Sequence, residues 1–204
     1  MIGSGRGRRA MVAVVAAQAV LVLVAGCSGD NASRATTRPA AVQARLDIDA
    51  VPPCPVTRHV APRADGLPAL TLHCLGAGPS VRLSDLRGTP MVLNVWAAWC
   101  TLCADEAPLF TSLHNKAGDK LRFFGIHYQA DRGYGLQSAH DFGVFYPSAQ
   151  DTDGAQTIKA LRAPAPPETW FVTADGRVAY RQRGVLTSQH QLDSYVAKYL
   201  GVTV

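Results

Sequence analysis

Charge is scarce in this chain. Asp, Glu, Lys and Arg make up only 17% of its 204 residues, and the formal net charge of +5 overstates its basicity. Three of the 20 Lys and Arg are Arg6, Arg8 and Arg9; without them 17 basic residues face 15 acidic ones, a net +2. No Lys/Arg tract remains after those three, so the electrostatic footprint of a nucleic-acid binder is absent and no nucleic-acid partner is expected. There is no internal repeat, and no low-complexity stretch apart from residues 28–50. A membrane-spanning helix needs about 20 apolar residues. The apolar run Ala10 to Ala25, interrupted only by Gln18, has 16. Cysteines number 5, an odd count that leaves one outside intramolecular pairing in an exported protein.

What the N-terminus does contain is a basic segment, then the apolar run, then Val24-Ala25-Gly26-Cys27. Length and flanks are those of a secretory signal. Small residues directly before a cysteine resemble the lipidation signal of bacterial lipoproteins. Residues 1–26 are therefore expected to be a lipoprotein signal peptide and Cys27 the lipidated residue. An uncleaved anchor, or cleavage near Ala25 that leaves Cys27 a free thiol, is the alternative. Residues 27–50 are rich in Ala, Ser, Thr, Arg and Asp and lack apolar periodicity, as in a flexible tether. The remaining 51–204 has single-domain length. An anchored protein of this kind sits on the extracytoplasmic face of the bacterial membrane. Cys54, Cys74, Cys100 and Cys103 would then meet an oxidising compartment.

Trp99-Cys100-Thr101-Leu102-Cys103 follows directly on the apolar run Met91 to Trp96. This C-x-x-C falls where a buried strand turns into a helix. The start of a helix presents unpaired N–H groups and partial positive charge, which stabilise a thiolate, the species that attacks disulfides. A structural zinc site completed by Cys54 and Cys74 is the competing reading. Zinc pairs usually sit on knuckle turns without a Trp-rich buried strand leading in.

Periodicity along the chain alternates strands and helices. Val81 to Leu83 and Met91 to Trp96 read as strands, Thr101 to about Asn115 as a helix with Leu102, Leu109, Phe110 and Leu113 apolar, and Leu121 to Tyr128 as a second buried strand. Gln137 to Phe142 and Gln156 to Leu161 are helix candidates. Thr169 to Thr173 and Val178 to Arg181 flank an Asp175-Gly176 turn, a hairpin signal. Ser188 to Leu200 closes the chain as a helix capped by Ser188. The class is α/β.

The stretches Pro90 to Leu109 and Pro167 to Gly176, with the final helix, resemble the thioredoxin superfamily. More narrowly they resemble the membrane-tethered TlpA/ResA-type thiol–disulfide oxidoreductases, over about Ser80 to Gly201. The resemblance implies a thioredoxin-like fold, a central mixed β-sheet flanked by helices, preceded here by a Cys-containing extension over 51–79. It implies Cys100 as exposed nucleophile and Cys103 as buried resolving thiol. Glu106, one turn beyond Cys103, takes the place of the acid that shuttles the resolving thiol's proton. Thioredoxin's own acid, six residues before the first cysteine, is here Asn94, which cannot titrate. Pro108 matches the proline that kinks the active-site helix. Pro167 matches the cis-proline leading into an edge strand that pairs with substrate, with Trp99 and Pro166 beside it. Pro166 has no N–H, so one of two expected backbone bonds to substrate is missing. No proline precedes Cys103, and the dipeptide Thr101-Leu102 leaves redox poise open.

The resemblance implies no cofactor. Its partners are exported protein thiols or disulfides and a membrane electron-transfer thiol protein, with the bacterial membrane reached through the lipid anchor. The function implied is a TlpA-type protein disulfide reductase, for instance acting on apocytochrome c. A disulfide-forming oxidase is the alternative, or a metal- or haem-handling protein using the dithiol as ligand. Cys54 and Cys74 suit a structural disulfide, a second redox pair being the other reading. None of the six histidines stands at ligand spacing to a cysteine, so no metal site is expected.

Overall fold

The computed structural model describes residues 51–204; the stretches expected as signal (1–26) and tether (27–50), with Cys27, lie outside them. A seven-stranded mixed sheet forms the centre, in the order β2-β1-β5-β4-β3-β6-β7. Its strands are β1 (Thr71–Cys74), β2 (Val81–Arg82), β3 (Met91–Trp96), β4 (Arg122–Tyr128), β5 (Ser148–Asp151), β6 (Glu168–Val172) and β7 (Val178–Arg183). The helices are α1 (Thr101–Ala117), α2 (Arg132–Phe142) and α3 (Gln189–Leu200), with a π-helical turn at Thr157–Leu161. This is the thioredoxin-like arrangement. Among the described residues no helix is long and apolar enough to cross a membrane.

Strand β3 runs parallel to β4, and β4 to β5, while β6 lies antiparallel on the other side of β3. All six residues of β3 are buried. A strand covered on both faces needs no alternation, which is why Met91 to Trp96 reads as a continuous apolar run. The parallel strands share one C-terminal edge, and the chain leaves it at Trp96 straight into α1. That helix turns Cys103, Glu106, Ala107, Phe110, Leu113 and Ala117 inward, a stripe at the 3–4 residue helical spacing. Burying Phe110 and Leu113 is worth about 1.5–3 kcal/mol each. The far end of α3 docks through aromatic rings: Tyr199 stacks on Tyr180 of β7 at 4.3 Å, and Tyr195 meets Phe171 of β6 edge-on at 5.7 Å.

Several expectations change. β6 is not an edge strand, because β7 pairs along its outer side from Glu168↔Arg183 to Val172↔Val178. The stretch 51–79 is woven into the sheet through β1, which pairs with β5 and β2. β5 itself, Ser-Ala-Gln-Asp, carries no apolar signal. α2 starts at Arg132 rather than Gln137, since Asp131 caps it by accepting from the Tyr134 N–H at 3.0 Å. Leu102 points outward, whereas Leu113 is fully buried.

Candidate active site

The turn after β3 places Cys100 as the N-cap of α1. Its N–H donates to the Ala97 carbonyl at 3.1 Å. Its sulfur accepts from the Cys103 N–H at 3.1 Å, one of the donors that a helix start leaves without an intrahelical partner. The same site would hold a thiolate, with the helix's partial positive charge adding to the hydrogen bond. In the structure Cys100 and Cys103 are joined as a disulfide, their Cα atoms 5.3 Å apart.

Burial does not separate the two cysteines as expected. Cys100 is 6% exposed and Cys103 3%. Both are covered in this oxidised state. The exposed groups are their neighbours, Trp99 at 56% and Leu102 at 50%. The Trp99 indole N–H donates to the Gln129 carbonyl at 3.3 Å, which fixes the ring beside the disulfide.

Glu106 lies one turn past Cys103 and is fully buried. Oε1 accepts from Asn94 Nδ2 at 2.9 Å and Oε2 from the Leu186 N–H at 3.0 Å. Asn94 Oδ1 in turn accepts from the Tyr146 hydroxyl at 3.1 Å. Burial pushes the carboxyl up from 4.5 to about 7, and the two hydrogen bonds, which favour the charged form, only partly offset it. A carboxyl titrating near neutrality is suited to give and take protons.

The Pro166–Pro167 peptide bond is cis. Pro167 is buried, Pro166 half-buried, and the Pro167 carbonyl accepts from the Gly184 N–H at 3.0 Å. The preceding loop is poor in N–H donors because Pro164, Pro166 and Pro167 have none. Its carbonyls are instead met by side chains. Arg181 donates to the carbonyls of Leu161 and Arg162, both at 2.7 Å, and Tyr128 to that of Pro164 at 3.0 Å. Arg181 is oriented by buried Glu168, which accepts from its Nε at 2.7 Å, and lies 4.1 Å over the Trp170 ring. Sequence reasoning did not single out Arg181, Glu168, Tyr128 or Tyr146. The one available signal was the run of prolines, whose carbonyls require donors from elsewhere.

Pro108 stands inside α1 with its ring exposed, and it cannot donate to the Ala104 carbonyl. Cys54 is joined to Cys74. Cys74 lies opposite Ala149, and β5 and β4 intervene before β3. Three strand spacings, about 14 Å, therefore separate this pair from the strand that leads to Cys100. Four sulfurs so divided cannot share one tetrahedral ion with ligands at about 2.3 Å, and the zinc reading falls. Among the described residues no group of three or more His, Cys, Asp or Glu is placed to hold a metal ion. His127, at the end of β4, is buried beside Trp96, and burial lowers it to about 4.

Comparison with known proteins agrees with this geometry. The Redoxin family profile matches residues 62–198. A thiol:disulfide interchange protein DsbE of Pseudomonas fluorescens is 32% identical over 133 residues, covering 65% of this chain and 72% of that one. A DsbE of Xylella fastidiosa is 30% identical over 113 residues, and the chain spans little more than half of its length, 56%. Among solved structures, a secreted Mycobacterium tuberculosis disulfide oxidoreductase described as homologous to DsbE superimposes with a TM-score of 0.55. It is 27% identical, over 64% of this chain and 96% of that one. The M. tuberculosis DsbF structure gives a TM-score of 0.57 at 25% identity, over 65% and 98%.

Proposed function

The chain belongs to the Redoxin family, as a thioredoxin-superfamily thiol–disulfide oxidoreductase, and from that premise we propose that it works as an extracytoplasmic protein disulfide reductase. The observation that carries the reading is the Cys100–Cys103 pair at the N-cap of α1, with buried Glu106 one turn further on. In the reduced protein the Cys100 thiolate attacks one sulfur of a substrate disulfide. A mixed disulfide forms and the substrate's other sulfur leaves as a thiolate. Glu106 takes the proton of the Cys103 thiol. The Cys103 thiolate then attacks Cys100, releasing the second substrate thiol and closing the Cys100–Cys103 disulfide. Two electrons pass from the protein to the substrate, and a membrane thiol partner returns them.

Trp99, Pro166 and Pro167 form the substrate-binding side. Pro166 offers an incoming strand its carbonyl but no N–H. Exported proteins with paired cysteines, the haem-attachment cysteines of apocytochromes c among them, are the substrate class. Residues 1–26 as signal and Cys27 as lipid site would hold the domain on the extracytoplasmic face. Two disulfides in one small domain suit an oxidising compartment. The Cys54–Cys74 bond acts as a staple, its distance across the sheet arguing against relay to Cys100.

The test is the reduction potential of the Cys100–Cys103 couple in the full chain. A value near −270 mV or below marks a thioredoxin-like reductant. A value near −120 mV marks an oxidant that installs disulfides and overturns the reductase reading.

A further inference from the structure

Asn94 presents two chemically opposite ends, and Glu106 meets only one of them. The NH2 faces the carboxylate and the carbonyl faces the Tyr146 hydroxyl. Turned around, the amide would offer Glu106 an acceptor, and the carboxyl would have to carry a proton to satisfy it. The buried Tyr146 hydroxyl decides between these arrangements. Asn94 Oδ1 is its acceptor, and reversing the amide would leave a buried O–H without one, which is costly. We infer that Tyr146 is a positioning residue for the exchange reaction: its hydroxyl holds the Asn94 amide with the NH2 toward Glu106 and so keeps Glu106 a proton acceptor.

The sheet is built to let this contact form. Tyr146 precedes β5, Asn94 lies on β3, and β4 runs between them. The β4 residue in register with Asn94 on one side and Ser148 on the other is Gly125. A Cβ there would stand 3.0 Å from the Tyr146 ring and 2.2 Å from Ser148 Oγ. Glycine at 125 thus leaves the space in which the ring crosses the strand toward Asn94.

The other groups around Glu106 do not supply this control. On its own helix the titratable neighbour is Cys103, bonded in the oxidised protein. From the segment after β7 comes the neutral Leu186 N–H. From β6, Thr169 lies opposite Asn94 and is uncharged. The buried residues of α2 and α3, the helices packed on α1, are Gly135, Leu136, Ala139, Leu192 and Val196. Burial and the hydrogen bonds from Leu186 and Asn94 are what set this carboxyl.

The inference rests on the reading of Glu106 as acceptor of the Cys103 proton, and the experiment separates the two. The Glu106 carboxyl is titrated by carbon-13 NMR in the oxidised full chain, where Cys103 carries no proton, and exchange by the reduced chain is followed over the same pH range. Tyr146→Phe should raise the carboxyl midpoint by about one pH unit. Fluorotyrosine at position 146, a stronger donor of the same shape, should lower it. The exchange profile should move with each. A midpoint unmoved by either replacement overturns the inference. If the Phe variant does not fold, the fluorotyrosine protein decides alone: a downward shift supports the inference and no shift overturns it. A carboxyl that moves while the exchange profile stays fixed supports the hold of Tyr146 on Asn94 and Glu106 but refutes Glu106 as the acceptor for Cys103, and with it any part of Tyr146 in exchange.

Discussion

Glu106→Gln should flatten the pH dependence of stability. The unfolded chain titrates this carboxyl near its ordinary 4.5 and the folded chain near 7, so between those values the folded state binds more proton. Stability from this group is fully present below pH 4.5 and is lost as pH rises through 7. At 1.36 kcal/mol per pH unit the loss amounts to about 3 kcal/mol. That is a sizeable part of the roughly 5–15 kcal/mol by which a domain is stable. Glutamine keeps the shape but cannot titrate. It also loses one of the two accepted hydrogen bonds, so the variant should be less stable at pH 4.5 and comparable or better at pH 8.5. Urea unfolding of the full chain with both disulfides intact, from pH 4 to 9, measures this. Parallel stability curves for wild type and variant would refute the argument, because they would mean that Glu106 titrates alike folded and unfolded.

In the reduced protein Cys100 should be alkylated much faster than Cys103 at pH 7, and Cys103→Ser should accumulate mixed disulfides; mass spectrometry reads both, and equal rates would sink the assignment of roles. Replacing Cys54 and Cys74 together with Ser should cost about 3 kcal/mol of stability, for a loop closed over a separation of 20 residues, while sparing turnover by Cys100. A folded double variant that no longer turns over would make that pair a relay. Arg181→Met keeps the packing over Trp170 but removes two bonds to the loop before Pro167. It should raise KM for a peptide disulfide about tenfold with little change in kcat, a charged hydrogen bond being worth about 1.5–3 kcal/mol. An unchanged KM would show that the loop holds its place without Arg181.

The centre of this fold was legible because its signals are local. A buried parallel strand shows as an unbroken apolar run, and the C-x-x-C after it marks the turn into α1. Strands β1 and β5 were not legible, for opposite reasons. β1 has four residues and only a weak alternation. β5 buries polar residues, Ser148 and Asp151: the Ser148 hydroxyl donates to the Tyr146 carbonyl at 3.4 Å, and Asp151 Oδ2 accepts from the Thr157 N–H at 2.6 Å. Asn94 cannot titrate and so carries no acid–base signal in the sequence, yet its amide is what Glu106 leans on, 12 residues away. Arg181 looked like any polar residue of a hairpin strand until the sheet brought it to Glu168 and the proline loop. The edge position expected for β6 conflicted with the hairpin signal at Asp175-Gly176 in the same sequence. A strand with β3 on one side and a hairpin partner on the other has no free edge.

The Cys54–Cys74 bond also sets a mechanical route. Tension applied to the chain ahead of Val51 arrives at Cys54, where two paths open: 19 residues of backbone, or a crosslink whose Cα atoms lie 5.9 Å apart. The crosslink is far the shorter and becomes taut first, so the segment between the two cysteines is bypassed. Force enters the sheet at Cys74, on a strand near one end of the order, and is borne by the β1–β5 hydrogen bonds at His73↔Gln150 and Cys74↔Ala149. Cys100, Glu106 and the Pro167 loop lie on the other side of β4, away from that point of entry. A domain pulled from that end would strain at its far rim first, with its dithiol still in working geometry.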